Sequence, residues 1–358
     1  MRTMGEQGHV GPVVIQPRSI AAAWRAKHSR GAAARYCAGA TLLRLSWEEG
    51  ERAPDYLIDL RQLPELQGLA WDGAACTIGA GLTLAECLRD GELSRRLPAL
   101  AAAMRGVAAA GVRTLATIGG NAAGGGDLLI PLLACDAELL YYDGGEQAEA
   151  LPATRAADRL GGAGGAALLC GLRVPLAALG TDRSGPLGSL WYGTDAEDAR
   201  CAGARAGENT EVASAAARTG PEAAATAAAT AAAVAASGLA GAADGGRGFD
   251  RYAKLGRREA FAPAQVAVAL NGRLTRDGTL RELRIAAGGA GGVPQRMTEA
   301  ERLARGERCD EALLRRIGEA VAEACALPDD PFAGAGYKRR AAASLVVSEL
   351  WEEVCACW

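Results

Sequence analysis

Short apolar runs alternate with helical periodicity along the first half of the chain, each separated from the next by glycine-containing or polar turns. Residues 12–16 predict a strand, and residues 20–28 a helix with Ser19 as its N-cap, where a hydroxyl can accept a first-turn amide. Further strands are predicted at 35–38, 56–60 and 75–80, and a helix starts after Thr83, its expected N-cap. Residues 97–109 have helical propensity. A glycine-rich stretch, 117–127, then precedes an apolar run at 128–135 and strands at 137–142 and 166–174.

Between 181 and 248 the pattern breaks. Gly, Ala, Ser, Thr and Asp dominate, with too few large hydrophobes to bury a core, and the segment reads as a low-complexity linker or insertion. Order resumes with alternating strands at 265–270 and 280–287, joined through an Asp277-Gly278 hairpin turn. Helices are predicted at 299–305, 311–326 and 337–354, the last amphipathic through Leu345, Val346 and Leu350. The predicted architecture is an α+β domain over 1–180, the bridge over 181–248, and a smaller sheet-plus-helices domain over 249–358.

Charge and composition remove several classes of function. The 358 residues carry 39 basic and 42 acidic side chains, a net charge of −3, so no large basic field exists to hold nucleic acid or an anionic membrane. There are two histidines, His9 and His28, which argues against His-dependent triads and His-ligated zinc. None of the ten cysteines forms a C-x-x-C pair, and they are expected to be small buried residues in a reducing cytoplasm rather than disulfides or cluster ligands. The first dozen residues contain Arg2 but no apolar core of a signal peptide. Residues 223–243 are free of charge, but Val234 and Leu239 are their only strong hydrophobes. Pro221 and Glu222 read as the first turn of an alanine helix ending near Gly238 rather than a membrane span.

The candidate chemistry lies in two glycine-bearing turns after strands, Ala38-Gly39-Ala40-Thr41 and Thr117-Ile118-Gly119-Gly120-Asn121. A diphosphate needs several backbone N–H groups converging on its oxygens, and glycines permit that approach. On glycine content alone, two ordinary tight turns are the better reading. No G-x-G-x-x-G or Gly-Lys sequence occurs, so neither a Rossmann fingerprint nor a P-loop is present.

With the surrounding motifs added, the chain resembles the FAD-binding medium subunit of the molybdenum hydroxylases, the xanthine dehydrogenase and aerobic carbon monoxide dehydrogenase family. That family has a first loop A-G-G-[TH]-[DS]-L and a second, T-I-G-G-N, followed by a spacer and Asp. Here stand Ala38-Gly-Ala-Thr-Leu-Leu43 and Thr117-Ile-Gly-Gly-Asn121 with Asp127. Leu57-Ile-Asp-Leu60 with Glu65-Leu-Gln-Gly68, and Ile78-Gly-Ala-Gly-Leu-Thr83, match the family's intervening strands. Near the C-terminus, Lys254-Leu-Gly-Arg-Arg258, residues 285–294 and Tyr337-Lys-Arg-Arg340 are similar to pieces of the same subunit's last domain.

The resemblance implies a two-lobed FAD-binding domain of the vanillyl-alcohol-oxidase/PCMH type, followed by the small C-terminal domain. It implies that Gly39, Ala40, Thr41, Leu42 and Leu43 run along the diphosphate and ribityl chain. Thr117, Ile118, Gly119, Gly120 and Asn121 would lie on the other side, Asp127 would accept from cofactor hydroxyls, and Lys254 would sit at the pyrimidine edge of the flavin. No residue of the chain is expected to be catalytic by itself or to bind metal. The implied partners are a small subunit with [2Fe-2S] clusters, a large molybdopterin subunit, and NAD or another electron acceptor.

Departures from the family pattern motivate an alternative. Ala40 replaces the first loop's second glycine, Leu42 its polar residue, and Asp127 follows Asn121 by only six positions. A scaffold subunit whose loops no longer hold flavin would carry such changes. A stand-alone flavin oxidoreductase, similar to the UDP-N-acetylmuramate-forming reductases, is a more distant reading for which no substrate acid or base is identified.

Overall fold

The computed structural model describes residues 11–155, 167–176, 246–257 and 264–356. It opens with β1 (Val13–Ile15), α1 (Ile20–Arg30), β2 (Ala34–Cys37), α2 (Thr41–Glu48) and β3 (Tyr56–Asp59). The strands form a parallel sheet in the order β1-β3-β2. Ser19 Oγ accepts the Ala22 amide at 3.2 Å, so α1 begins at the predicted N-cap. Lys27, on α1, donates to the carbonyls of Gly31 and Ala34, where the C-terminal end of the helix dipole favours a cation. Ala23, Ala34, Ile58, Leu60, Leu63 and Leu66 form this lobe's small core.

The second lobe is antiparallel. It contains β4 (Leu69–Trp71), β5 (Ala75–Gly79), β6 (Glu138–Tyr142), β7 (Glu149–Pro152) and β8 (Leu168–Pro175), paired in the order β4-β5-β8-β6-β7. The long crossing from β5 to β6 is helical: α3 (Leu84–Arg89), α4 (Gly91–Arg96), α5 (Pro98–Arg105), α6 (Ala110–Arg113), α7 (Ile118–Ala123) and α8 (Leu129–Ala134). Thr83 and Glu86 close a reciprocal capping box at the start of α3. The apolar run at 128–135 is α8, buried along its whole length.

The C-terminal part comprises β9 (Arg247–Gly256), β10 (Ala264–Leu274), β11 (Leu280–Gly289), β12 (Gly292–Arg296), α9 (Thr298–Ala304), α10 (Glu311–Ala324) and α11 (Ala335–Cys355). Its antiparallel sheet runs β12-β11-β10-β9. Alternation along β10 gives the sheet two distinct faces. Val266, Val268 and Leu270 pack with the core shared by α9, α10 and α11. Ala264, Ala267 and Ala269 join the core of the second lobe instead. Small side chains on that face let the sheet approach α5 and α8 closely.

The same alternation along β9 decides the site. Asp250, Tyr252 and Lys254 lie on one face, and each meets the second lobe: Asp250 accepts the Ala99 amide at 3.0 Å, Tyr252 joins that lobe's core, and Lys254 reaches Gly106 and Asp127. On the other face Arg251 pairs with Glu353 of α11, while Ala253 and Leu255 pack on the C-terminal core.

Cys76, Cys87, Cys135, Cys170, Cys309 and Cys325 are buried, as expected of small core residues, whereas Cys355 is exposed. Among the described residues no helix is long and apolar enough to cross a membrane. The alanine-rich segment at 223–243, and all of 181–248 apart from its last three residues, lie outside the described residues.

Candidate functional site

The two glycine turns adjoin. A Cβ on Gly39 would overlap the carbonyl of Leu115, just before the second turn, and a Cβ on Gly124, just after it, would meet the Leu42 side chain. Gly39 is therefore required for backbone-to-backbone contact between the turns.

The first turn delivers the chain into α2. Ala40 is its N-cap, in the left-handed region at φ 57°, and contributes no side-chain cap. Thr41, Leu42 and Leu43 are the first three helical residues, so their amides have no partner within the helix. Three such N–H groups at the positive end of a helix dipole fit an anionic oxygen cluster. Leu42 projects as an exposed side chain, and Leu43 is half-buried.

The second turn differs. It is the first turn of α7, and its amides are already paired within the protein. Ile118 donates to the Leu82 carbonyl and Gly119 to that of Ala80, Gly120 to Thr117 Oγ1, and Asn121 to the Thr117 carbonyl. A Cβ on Gly119 would strike Ala80, so this glycine serves close packing, and Ile118 is fully buried in the second lobe's core. What the turn still offers a ligand is the Thr117 hydroxyl proton and the Asn121 amide nitrogen, because Asn121 Oδ1 is occupied by the Leu128 amide at 3.2 Å. Gly120 is exposed at its tip.

Asp127 and Lys254 meet each other. Lys254 Nζ lies 2.7 Å from Asp127 Oδ2 and 3.0 Å from the Gly106 carbonyl, and one of its three donors remains. The short spacer folds back, with the Gly126 amide on the Asn121 carbonyl, and a Cβ on Gly126 would run into the Asn121 carboxamide. Thus the structure brings together Gly39 to Leu43 with Thr117 to Asn121, and Asp127 with Lys254, while Ile118 faces the core.

Two participants had not been singled out in the sequence. Gly106 supplies a carbonyl to Lys254, and Arg113 holds the segment around it by donating to the carbonyls of Arg105, Val107 and Ala108. The arginine four residues before Thr117 was the available signal; an arginine that ends a helix can turn onto nearby carbonyls.

Taken together, the parallel lobe, the antiparallel lobe with its helical crossing, and the sheet-plus-helices domain form a two-lobed α+β domain with a C-terminal appendage. Two family models match the chain in succession. They are the FAD binding domain in molybdopterin dehydrogenase, over residues 7–176, and the CO dehydrogenase flavoprotein C-terminal domain, over residues 251–354. The xanthine dehydrogenase FAD-binding subunit of Escherichia coli O157:H7 is 38% identical over 89 residues, 24% of this chain and 30% of that protein. The carbon monoxide dehydrogenase medium chain of Hydrogenophaga pseudoflava is 32% identical over 109 residues, 30% of this chain and 38% of that one. The matched stretches thus span about a third of these relatives' lengths. Among solved structures, carbon monoxide dehydrogenase from Hydrogenophaga pseudoflava superposes with a TM-score of 0.70 at 20% identity, covering 97% of this chain and 98% of that chain. Quinoline 2-oxidoreductase from Pseudomonas putida 86 gives 0.69 at 15% identity, covering 97% and 98%.

The chain belongs to the family of FAD-binding subunits of the molybdenum hydroxylases, the carbon monoxide dehydrogenase and xanthine dehydrogenase type.

Proposed function

We propose that the chain is the FAD-carrying electron-transfer subunit of a molybdenum hydroxylase complex. It would take electrons from [2Fe-2S] clusters of a small partner subunit and pass them to NAD or another acceptor, while a large molybdopterin subunit oxidises the substrate. The observation that carries this reading is the first turn of α2, where three amides without intrahelical partners lie against the second glycine turn. Bound FAD supplies exchange of one or two electrons, which suits a position between one-electron clusters and a hydride acceptor.

The chain's own residues have separable tasks in this reading. The amides of Thr41, Leu42 and Leu43 and the Thr117 hydroxyl hold the diphosphate, with the Asn121 amide as a further donor. Gly39 keeps the two turns close enough to act together, and Gly119 seats the second turn against Ala80. Lys254 offers its remaining donor to the pyrimidine edge of the flavin, where an ammonium opposes the negative charge that accumulates on reduction. Asp127 and the Gly106 carbonyl keep that ammonium at the boundary between the second lobe and the C-terminal sheet.

The test is to purify the chain, supply FAD, and record the visible spectrum together with an affinity by titration. Stoichiometric binding that weakens when Thr117 is replaced by Val supports the assignment. A second reading, a scaffold subunit without flavin, is favoured by Ala40 in its left-handed conformation and by the internally paired amides of the second turn. A folded chain that never takes up FAD selects it.

A further inference from the structure

We propose that Arg113 is a positioning residue for Lys254, acting through the backbone of residues 105–108; the proposal deepens the reading of Lys254 as a flavin contact and rests on it for its redox consequence. Arg113 Nη1 donates to the carbonyls of Arg105 at 3.1 Å, Val107 at 3.1 Å and Ala108 at 2.7 Å. The carbonyl that this group skips is that of Gly106, which accepts from Lys254 Nζ at 3.0 Å. Four consecutive carbonyls are therefore divided between two cations, three to Arg113 and one to Lys254. Ala108 lies in the left-handed region at φ 43° without being glycine, a conformation that needs its surroundings to hold it.

The consequence follows from the chain geometry. With the carbonyls on either side of Gly106 turned to Arg113, the Gly106 carbonyl is left to face β9. Lys254 also lies along this segment, its Cδ 3.7 Å from where a Cβ on Gly106 would be. Asp127 fixes the ammonium from a different element, so Gly106 and Asp127 together define its location. Without Arg113, three carbonyls lose their donor, the turn relaxes, and Lys254 is held by Asp127 alone. An arginine suits the task because its charged planar group can serve several carbonyls while remaining protonated.

The chain has three lysines, which gives the test internal controls. The flavin-free protein is treated briefly with an amine-acylating reagent, and modification of each lysine is followed by mass spectrometry. In Arg113→Met, Lys254 is expected to react several-fold faster than in the parent, while Lys27 and Lys338, both buried and bonded to carbonyls elsewhere, keep their rates. Arg113→Lys, which retains a cation, is expected to fall between. An unchanged Lys254 rate, or equal acceleration at all three lysines in both variants, overturns the proposal.

The flavin-loaded protein supplies the second readout. Lys254→Met is expected to lower the equilibrium constant for two-electron flavin reduction by about tenfold, about 30 mV. Arg113→Met moves it the same way by a smaller factor, and adds nothing when Lys254 is already Met. Full additivity of the two substitutions overturns the proposal. If acylation responds to Arg113 but Lys254→Met leaves flavin reduction unchanged, the positioning role stands and the flavin contact of Lys254 falls.

Discussion

Lys254 and Asp127 stand 127 positions apart in sequence and 2.7 Å apart in space, one on the first strand of the C-terminal sheet and the other just before α8 of the second lobe. Their side chains are 12% and 19% exposed, so water screens the pair only partly. It joins the two parts of the chain beside the glycine turns.

Removing one partner should expose that linkage. Asp127→Asn and Lys254→Met are each expected to cost about 1–3 kcal/mol, between the values for surface and fully buried pairs. The double variant should cost clearly less than the sum, because the second substitution has no ion pair left to break. Chemical denaturation of the four proteins measures the coupling. Additive losses would mean that the two groups do not stabilise each other.

Asp250 performs a second joining task four residues earlier. It is buried, its Oδ2 accepts the Ala99 amide at the start of α5, and its Oδ1 accepts from Asn271 at 3.3 Å. Pro98 occupies the first helical position, so the acceptor for the next amide comes from the C-terminal sheet rather than from a local cap. Asp250→Ala should therefore destabilise by about 1–3 kcal/mol and leave a buried donor unpaired. Hydrogen exchange would report faster opening at the N-terminus of α5 than at its C-terminus.

How far these relations were legible depends on the strand. β10 is legible because residues 264–270 carry no charge, and β11 because Leu280, Leu283, Ile285, Ala286 and Ala287 recur along it despite Arg281, Glu282 and Arg284. β9 was not, although Lys254 was singled out by its motif. Its inward residues include Asp250 and Lys254, and its opposite face includes Arg251, so neither face reads as purely apolar. Ion pairs on both faces conceal the alternation. The helix α2 was hidden for a different reason. Its N-cap is an alanine without a capping side chain, so the start signal is missing even though Leu42, Leu43, Leu45 and Trp47 recur at helical spacing. The glycines of the second turn suggest a loop. Thr117 and the carbonyls of Ala80 and Leu82 instead organise it as the first turn of a helix.

Asp59 gives a pH dependence with a definite sign. It accepts from the Arg61 side chain at 2.9 and 2.7 Å and from the Arg61 amide at 3.1 Å, and these bonds hold its carboxyl below the usual range against the opposing effect of burial. A carboxyl depressed in the folded state stabilises the fold above its unfolded value of about 3.9, and that contribution is lost as pH falls through the lower folded value. Asp59→Asn should cost about 1–2 kcal/mol at neutral pH. Below about pH 4 the parent should lose stability more steeply than the variant. Denaturation across pH 3–7 checks both statements, and parallel acid limbs would contradict the assignment.

The cysteines separate by environment. Burial pushes the thiols of Cys76, Cys87 and Cys170 up to about 12 and that of Cys309 up to about 11. At pH 8 these groups carry almost no thiolate and are also shielded, whereas Cys355 is exposed. Brief alkylation of the native chain should modify Cys355 at least tenfold faster than these four, with the difference abolished in denaturant. Peptide mass spectrometry resolves each site. Rapid native labelling of Cys76 or Cys87 would show that the second lobe opens readily.

Ala40 supplies a substitution expected to improve the protein. Its φ of 57° and ψ of 3° place an alanine where glycine meets no steric penalty, and the next residue begins α2. Ala40→Gly should release about 1–2 kcal/mol of strain and return about 0.4–1 kcal/mol through the greater freedom of the unfolded chain, a net gain of roughly 0.5–1 kcal/mol. The contrasting variant is Gly39→Ala, where the added methyl overlaps the Leu115 carbonyl and should force the two turns apart. It should lose both stability and FAD binding, while Ala40→Gly retains or tightens binding because the α2 amides are held without strain. Denaturation midpoints and FAD titrations on the two variants test the pair of statements. A less stable Ala40→Gly would mean that residue 40 is not left-handed in solution, and that the entry to α2 has a different shape.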